Sequence, residues 1–120
     1  MKHSITVLSY AGCGTCKKAM KWLADHDVEA TVRPIVDEPP TRKELEAWVA
    51  RSGLPLRRWL NTSGLSYRAI GKPAIDAMTD AQLVEALCKD GKLVRRPVLV
   101  RGDRVLVGFD EAAYAELLGA

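Results

Sequence analysis

The feature that most limits the possible folds is a pair of cysteines at the junction between an apolar run and a helical pattern. The run at 5–8, Ile-Thr-Val-Leu, is apolar and rich in β-branched residues, so it predicts a buried strand. Cys13 and Cys16 follow within Ala-Gly-Cys-Gly-Thr-Cys-Lys-Lys. Helical periodicity over 14–26 then places Cys16 on the inner face of a helix and Cys13 just before its first turn.

The middle of the chain is predominantly helical. Residues 30–36 predict a second strand that ends near its proline, and a helical insert follows at about 39–91. Thr41 with Glu44, and Thr79 with Gln82, have the spacing of capping boxes that open two helices of this insert. Shorter helical turns are expected at 55–60 and 65–70, and Gly53 and Gly91 mark the two helix ends.

The last part of the chain returns to strands. Residues 98–100 and 105–107 are apolar and flank Arg-Gly-Asp-Arg, in which Gly102 can supply the positive φ of a type II′ turn. Asp110 then has the position of a cap for a closing helix. This pattern predicts a β-hairpin followed by a helix.

Together these elements indicate an α/β fold. A strand-helix-strand start, a C-x-x-C at the first strand-to-helix junction and a proline entering the third strand are the layout of a thioredoxin-like domain. We expect a mixed four-stranded sheet with flanking helices, in a single domain over 1–120. Its core would comprise 1–38 and 92–120, with the helical insert between them.

Composition excludes several classes of function. The net charge is +3 and no long block of lysine or arginine occurs, so direct nucleic-acid binding is not expected. The apolar runs are far shorter than the roughly 18 residues of a membrane span, and the first residues lack the apolar region of a signal peptide. A cytoplasmic monomer without membrane contact is the expectation.

Three interpretations of the cysteine pair can be compared. Structural zinc needs four ligands, and beyond the pair the chain offers only Cys88, His3 and His26, with no second C-x-x-C, so no metal site is predicted. Two inert buried thiols would not explain why Cys13 lies in a glycine-rich turn. Cys88, among leucines of a predicted helix, is interpreted as a small buried hydrophobe.

A redox pair accounts for the position of both cysteines. A helix N-terminus offers free backbone N–H groups and a positive dipole end, which lower the pKa of Cys13 and make it a nucleophile, and Lys17 and Lys18 add positive charge nearby. Cys16, one turn on, can attack a mixed disulfide formed at Cys13 and resolve it.

The loop around Cys13 is predicted to receive the substrate. Gly12 and Gly14 leave room for a substrate to approach the thiol, and Thr15 lies beside them. We therefore take these three residues as the substrate-binding loop, with no bound cofactor.

Several segments carry a family resemblance. Cys-Gly-Thr-Cys-Lys-Lys-Ala, Pro-Pro-Thr-Arg-Lys-Glu-Leu, Ser-Gly-Leu-Pro-Leu, Asn-Thr-Ser-Gly and Arg-Arg-Pro-Val-Leu-Val with Val-Gly-Phe resemble the thioredoxin-fold arsenate reductase superfamily. That group includes glutathione- or glutaredoxin-linked arsenate reductases, small reductase-like proteins, and Spx/MgsR-type regulators that bind RNA polymerase. The resemblance covers essentially the whole chain.

The resemblance assigns roles to single residues. It implies that Cys13 is the catalytic cysteine, that Arg96 stabilises its thiolate or a bound anion, and that Pro97 is a cis-proline facing the thiol. Two departures argue against efficient arsenate reduction. The other anion-binding arginines of the reductases fall at Asn61 and Gly108, and Cys16 falls where the reductases carry serine.

The resemblance leaves two functions open. One is an arsenate reductase-like thiol-disulfide oxidoreductase, with glutathione, glutaredoxin or thioredoxin as electron donor and a disulfide as acceptor. The alternative is an Spx/MgsR-type redox-sensing regulator, in which Gly53 would dock on the C-terminal domain of the RNA polymerase α-subunit. The competing interpretation of Gly53 is a simple helix cap.

Overall fold

The structure is a computed structural model that describes residues 5–119. In chain order its elements are β1 (Ile5–Ser9), α1 (Gly14–Asp25), β2 (Thr31–Pro34), α2 (Arg42–Ser52), a 3₁₀ helix (Leu56–Trp59), α3 (Leu65–Ile70), α4 (Lys72–Asp76), α5 (Asp80–Lys89), a second 3₁₀ helix (Gly91–Leu93), β3 (Val98–Arg101), β4 (Arg104–Val107) and α6 (Glu111–Leu118).

These elements form two compact units. The first, here called the sheet unit, comprises the described residues up to Pro34 together with those from Arg96 onward. The second, the insert unit, is Ile35–Arg95. The helical insert predicted at about 39–91 lies within the insert unit, which also includes a few residues on each side.

The sheet unit contains all four strands, in the order β2-β1-β3-β4. β2 pairs with β1 in parallel, whereas β1 with β3 and β3 with β4 are antiparallel. The mixed four-stranded sheet predicted from the sequence is confirmed. β2 is shorter than predicted and ends at Pro34, since proline has no N–H to continue a ladder.

The core of the sheet unit lies where α1 and α6 pack on one face of the sheet. Alternate residues of a strand share a face, so Ile5 and Val7 point the same way, and Leu99 lies opposite Val7 in the antiparallel register. The buried side chains of this cluster are Ile5, Val7, Ala19, Trp22, Leu23, Leu99, Tyr114 and Leu117.

The hairpin and the closing helix form as the sequence predicts. Gly102 lies at φ +57°, while Asp103 is not among the residues with positive φ, which is the pattern of a type II′ turn. Asp110 caps α6, because its side chain accepts a hydrogen bond from the backbone N–H of Ala112 at 3.0 Å.

Both predicted capping boxes of the insert unit are present. Thr41 Oγ1 accepts from the Glu44 N–H at 3.1 Å, and Glu44 Oε1 accepts from the Thr41 N–H at 3.0 Å. Thr79 and Gln82 make the same pair of bonds at 3.2 and 2.9 Å. Each box satisfies N–H groups that a helix start would otherwise leave without acceptors.

One α-helix of the insert unit was not predicted. α4 (Lys72–Asp76) follows α3 after Gly71, whose φ is +90°. It is too short for hydrophobic periodicity to identify, although Pro73 in its first turn is a recognised start signal. The short helical turn predicted at 55–60 is present as the 3₁₀ helix Leu56–Trp59.

None of the helices within residues 5–119 combines the length and the apolar composition that a membrane crossing requires.

Candidate active site

The two cysteines lie at the start of α1. Cys13 is the N-cap, with extended backbone angles of φ −99° and ψ 115°, and Cys16 lies in the first turn. The backbone N–H of Cys16 donates to Cys13 Sγ at 3.3 Å, so the sulfur takes the place that a serine or aspartate oxygen occupies in an ordinary cap. Both are free thiols; Cys13 is partly exposed and Cys16 is fully buried, as the periodicity predicts.

Strand register brings Arg96 to the cysteine loop. Val98 pairs with Leu8 in the antiparallel ladder of β1 and β3. Continuing that register by two residues places Arg96 opposite Tyr10, which precedes the loop. Accordingly, the Arg96 guanidinium carbon lies 5.2 Å from the centroid of the Tyr10 ring.

The surroundings of Cys13 favour its thiolate. Partial burial raises the pKa of the Cys13 thiol, but hydrogen bonds from the thiol and backbone N–H of Cys16 and from the Arg96 guanidinium outweigh it. The positive charge of Arg96 acts in the same direction, and the net pKa lies below that of an ordinary cysteine. The lowering is due to Cys16 and Arg96, not to Lys17 and Lys18, whose exposed side chains are screened by water.

The surroundings of Cys16 favour its neutral thiol. Burial raises the pKa of Cys16, and its hydrogen bond to Cys13 raises it further. Hydrogen bonds from the Tyr10 backbone and the Ser9 hydroxyl oppose the increase without cancelling it. The two cysteines of the motif therefore differ: one is accessible with a lowered pKa, and the other is buried with a raised one.

Tyr114 of α6 lies within the electrostatic reach of Cys16. Its side chain is fully buried, and burial together with the charge of a Cys16 thiolate raises the pKa of its hydroxyl. Among residues 5–119, its hydroxyl has no hydrogen-bond partner. Burial therefore favours the neutral phenol of Tyr114.

The three residues predicted to form the substrate-binding loop differ in their surroundings. A Cβ at Gly14 would meet no atom within 4 Å, and Gly14 and Thr15 are both exposed beside Cys13. A Cβ at Gly12, in contrast, would lie 2.8 Å from Cε2 of Tyr10. A side chain at Gly12 would thus displace the Tyr10 ring, whereas Gly14 leaves open space next to the sulfur. Their part in substrate binding stays a prediction.

Pro97 before β3 and Gly108 after β4 are two positions that the family resemblance singles out. The Arg96–Pro97 peptide bond is cis, as predicted, while the prediction that Pro97 faces the thiol stays a prediction. Gly108 donates its N–H to the Pro97 carbonyl at 2.8 Å and has φ +79°, a conformation that favours glycine over arginine. Gly108 is also buried, so its local structure is built for glycine and supplies no cation.

Asn61 has a structural role in the insert unit. Its N–H donates to the Leu93 carbonyl at 2.8 Å, and its side-chain amide donates to the Lys92 carbonyl at 3.4 Å. These bonds tie the loop after the first 3₁₀ helix to the second. Asn61 therefore supplies hydrogen bonds to the backbone of its own unit and no positive charge.

Gly53 and Cys88 also lie in the insert unit. Gly53 ends α2 in the left-handed conformation at φ +71°, so the cap interpretation is confirmed. It is also exposed, with no atom within 4 Å of an added Cβ, so its place in docking stays a prediction. Cys88 is half-buried, and burial raises the pKa of its thiol.

Sequence reasoning missed two residues of this site. Tyr10 and Ser9 immediately precede the cysteine loop, and both contact the cysteine pair. Their position in the sequence could have identified them as site residues, because the residues that end β1 must lie beside the first turn of α1. The Tyr10–Arg96 contact had no signal within the sequence, because it depends on the register of β1 and β3.

Within residues 5–119, no three His, Cys, Asp or Glu side chains are grouped so that they could hold a metal ion. His3, one of the potential ligands considered, lies outside the described residues. His26 makes a local contact, in which its Nδ1 and the Trp22 carbonyl are 2.8 Å apart.

Three curated relatives align with almost all or most of the chain. The YusI protein of Bacillus subtilis is 40% identical over 114 residues, which are 94% of this chain and 97% of YusI. The regulatory protein MgsR of Bacillus subtilis is 29% identical over 98% of this chain and 92% of MgsR. The arsenate reductase of Rhizobium meliloti is 28% identical over 81% of this chain and 69% of that enzyme.

A solved structure agrees with the fold. The ArsC family related protein from Bacteroides fragilis superimposes with a TM-score of 0.90 at 40% identity, covering 98% of this chain and 99% of that one. The thioredoxin-like fold predicted from the sequence is confirmed. The model of the ArsC family matches residues 8–117, and the chain therefore belongs to the ArsC family.

Proposed function

We propose that the protein is a thiol-disulfide oxidoreductase in which Cys13 is the nucleophile and Cys16 the resolving cysteine. The observation that carries the proposal is the contrast between the two thiols. Cys13 is partly exposed with a lowered pKa, and Cys16 is buried one turn away with a raised pKa. A nucleophile needs access and thiolate character, whereas a resolving thiol needs proximity to the first sulfur.

The proposed cycle has three steps. The Cys13 thiolate attacks a disulfide, forms a mixed disulfide with one half and releases the other half as a thiolate. Cys16 then loses its proton, attacks the Cys13 sulfur and releases the second half, which leaves a Cys13–Cys16 disulfide. An external thiol donor, either glutathione, glutaredoxin or thioredoxin, returns two electrons and restores both thiols. Arg96 stabilises the thiolate in the first step.

Mild peroxide is expected to oxidise Cys13 and Cys16 to a disulfide, since a sulfenate formed at Cys13 condenses with the adjacent thiol. Intact mass after alkylation should show that two of the three cysteines become protected, and dithiothreitol should make them reactive again. Cys88→Ser is the matched control. In this variant, peroxide should still protect both Cys13 and Cys16 from alkylation.

Cys13→Ser and Cys16→Ser should each abolish this paired protection. A wild-type chain whose cysteines all stay alkylatable after peroxide would overturn the proposed cycle. Lasting protection of Cys13 alone would indicate a mechanism with a single cysteine.

A second candidate function is supported by the similarity to MgsR, which extends over 98% of this chain. The regulator proposal predicts that the oxidised and reduced forms bind the C-terminal domain of the RNA polymerase α-subunit with different affinities. Binding in neither redox state would exclude this function.

The role of Gly53 can be tested in the same assay with Gly53→Asn, because asparagine tolerates the left-handed conformation and preserves the end of α2. Docking through Gly53 predicts lost binding at an unchanged melting temperature. A cap alone predicts unchanged binding, with a small loss of stability in Gly53→Ala.

A further inference from the structure

Tyr10 links the cysteine loop to Arg96. Its carbonyl accepts a hydrogen bond from the Cys13 N–H at 3.0 Å, which fixes the backbone at the start of the loop. Its ring lies 5.2 Å from the guanidinium carbon of Arg96. That separation is within the roughly 6 Å over which an aromatic ring attracts a cation.

Gly12 allows the Tyr10 ring to occupy this place. Any side chain at Gly12 would put a Cβ 2.8 Å from Cε2 of the ring, which is closer than such atoms approach, and 3.2 Å from Cζ, so the ring would have to shift. The ring therefore lies near the loop backbone at Gly12 and also near the guanidinium of Arg96. A single side chain thus connects the residue before Pro97 to the loop that carries the nucleophile.

We propose that Tyr10 is a positioning residue whose ring holds the Arg96 guanidinium beside the sulfur of Cys13. The proposal rests on the proposed function, in which Cys13 is the nucleophile. Arginine has a long side chain that loses much rotamer freedom when it is fixed in one place. Attraction to the ring face offsets this loss and keeps the charge where it stabilises the thiolate.

The test measures how fast iodoacetamide alkylates Cys13 at a series of pH values, read from the mass of the Cys13 peptide. In Tyr10→Leu, we expect the midpoint of the pH profile to move upward. Below the midpoint the rate should fall by about two- to fivefold, the range for losing one cation–π contact at a partly exposed site. Tyr10→Phe keeps the ring, and it should retain the wild-type profile.

A double substitution separates positioning from general damage. Arg96→Met should raise the midpoint, and adding Tyr10→Leu to Arg96→Met should produce no further change, because the ring then has no guanidinium to hold.

Gly12→Ala, which keeps Tyr10 but displaces its ring, should move the midpoint in the same direction as Tyr10→Leu. It provides a second test if Tyr10→Leu folds poorly by circular dichroism.

An unchanged midpoint in a folded Tyr10→Leu protein would overturn the proposal. A shift caused by Tyr10→Leu that is equally large in the wild-type and the Arg96→Met backgrounds would also overturn it. Failure of the oxidoreductase proposal is detected separately. It would appear as missing disulfide formation in the wild-type chain, whatever the alkylation profile of these variants.

Discussion

At neutral pH, iodoacetamide is expected to modify Cys13 at least about tenfold faster than Cys16. Burial raises the pKa of Cys13, but the contacts with Cys16 and Arg96 lower it by more, so its thiolate persists to lower pH than in an unfolded chain. Burial and the bond to Cys13 raise the pKa of Cys16, so its thiolate appears only at higher pH. The alkylation rate of Cys13 should therefore level off at a lower pH than that of Cys16.

The denatured chain is the control for this comparison. In concentrated guanidinium chloride the cysteines lose burial and neighbours, so their rates should converge and their pH profiles should overlap. Cys88, whose pKa is raised by burial, should also be slower than Cys13 in the folded protein. Faster labelling of Cys16 than of Cys13 in the native protein would contradict the assignment of nucleophile and resolving cysteine.

Gly91→Ala is expected to destabilise the protein by about 3 kcal/mol or more. Gly91 is buried, and a Cβ there would lie 2.6 Å from the carbonyl carbon of Ile35 and 3.1 Å from Cα of Val36. Both are backbone atoms, so no rotation of a side chain can relieve the overlap. Urea unfolding followed by circular dichroism should show a lower midpoint for the variant.

Gly14→Ala is the matched control for this stability measurement. A Cβ at Gly14 would meet no atom within 4 Å, and alanine is a better helix former than glycine at the start of α1. We expect its free energy of unfolding to equal or exceed that of the wild type. A Gly91→Ala protein within about 0.5 kcal/mol of the wild type would show that its contact with Ile35 is looser than described.

The features that sequence predicted best depend on neighbours along the chain. Capping boxes at Thr41 and Thr79 were predictable because both partners of each box lie within four residues. The buried position of Cys16 followed from helical spacing, and the turn at Gly102 followed from its place between two β-branched runs. In each case local chemistry determines local structure.

The features that sequence did not predict depend on contacts between distant segments. The ring of Tyr10 reaches Arg96 through the pairing of β1 with β3, and Gly91 packs against Ile35. Neither contact leaves a periodic pattern in the sequence. The lowered pKa of Cys13 was correctly expected from the free N–H groups of the helix start, since the backbone N–H of Cys16 contributes to it. The additional contribution expected from Lys17 and Lys18 is not among its causes, because proximity in sequence was taken for proximity of charge.

The chain order of the sheet unit has a consequence for biosynthesis. The ribosome releases β1, α1 and both cysteines of the motif long before Arg96, yet β1 can pair with β3 only after the insert unit has been made. A nascent chain that ends before residue 96 therefore carries Cys13 without its guanidinium partner. Cys13 acquires this partner only when β3 has been made and pairs with β1, so the order of synthesis separates the nucleophile from the residue that stabilises its thiolate.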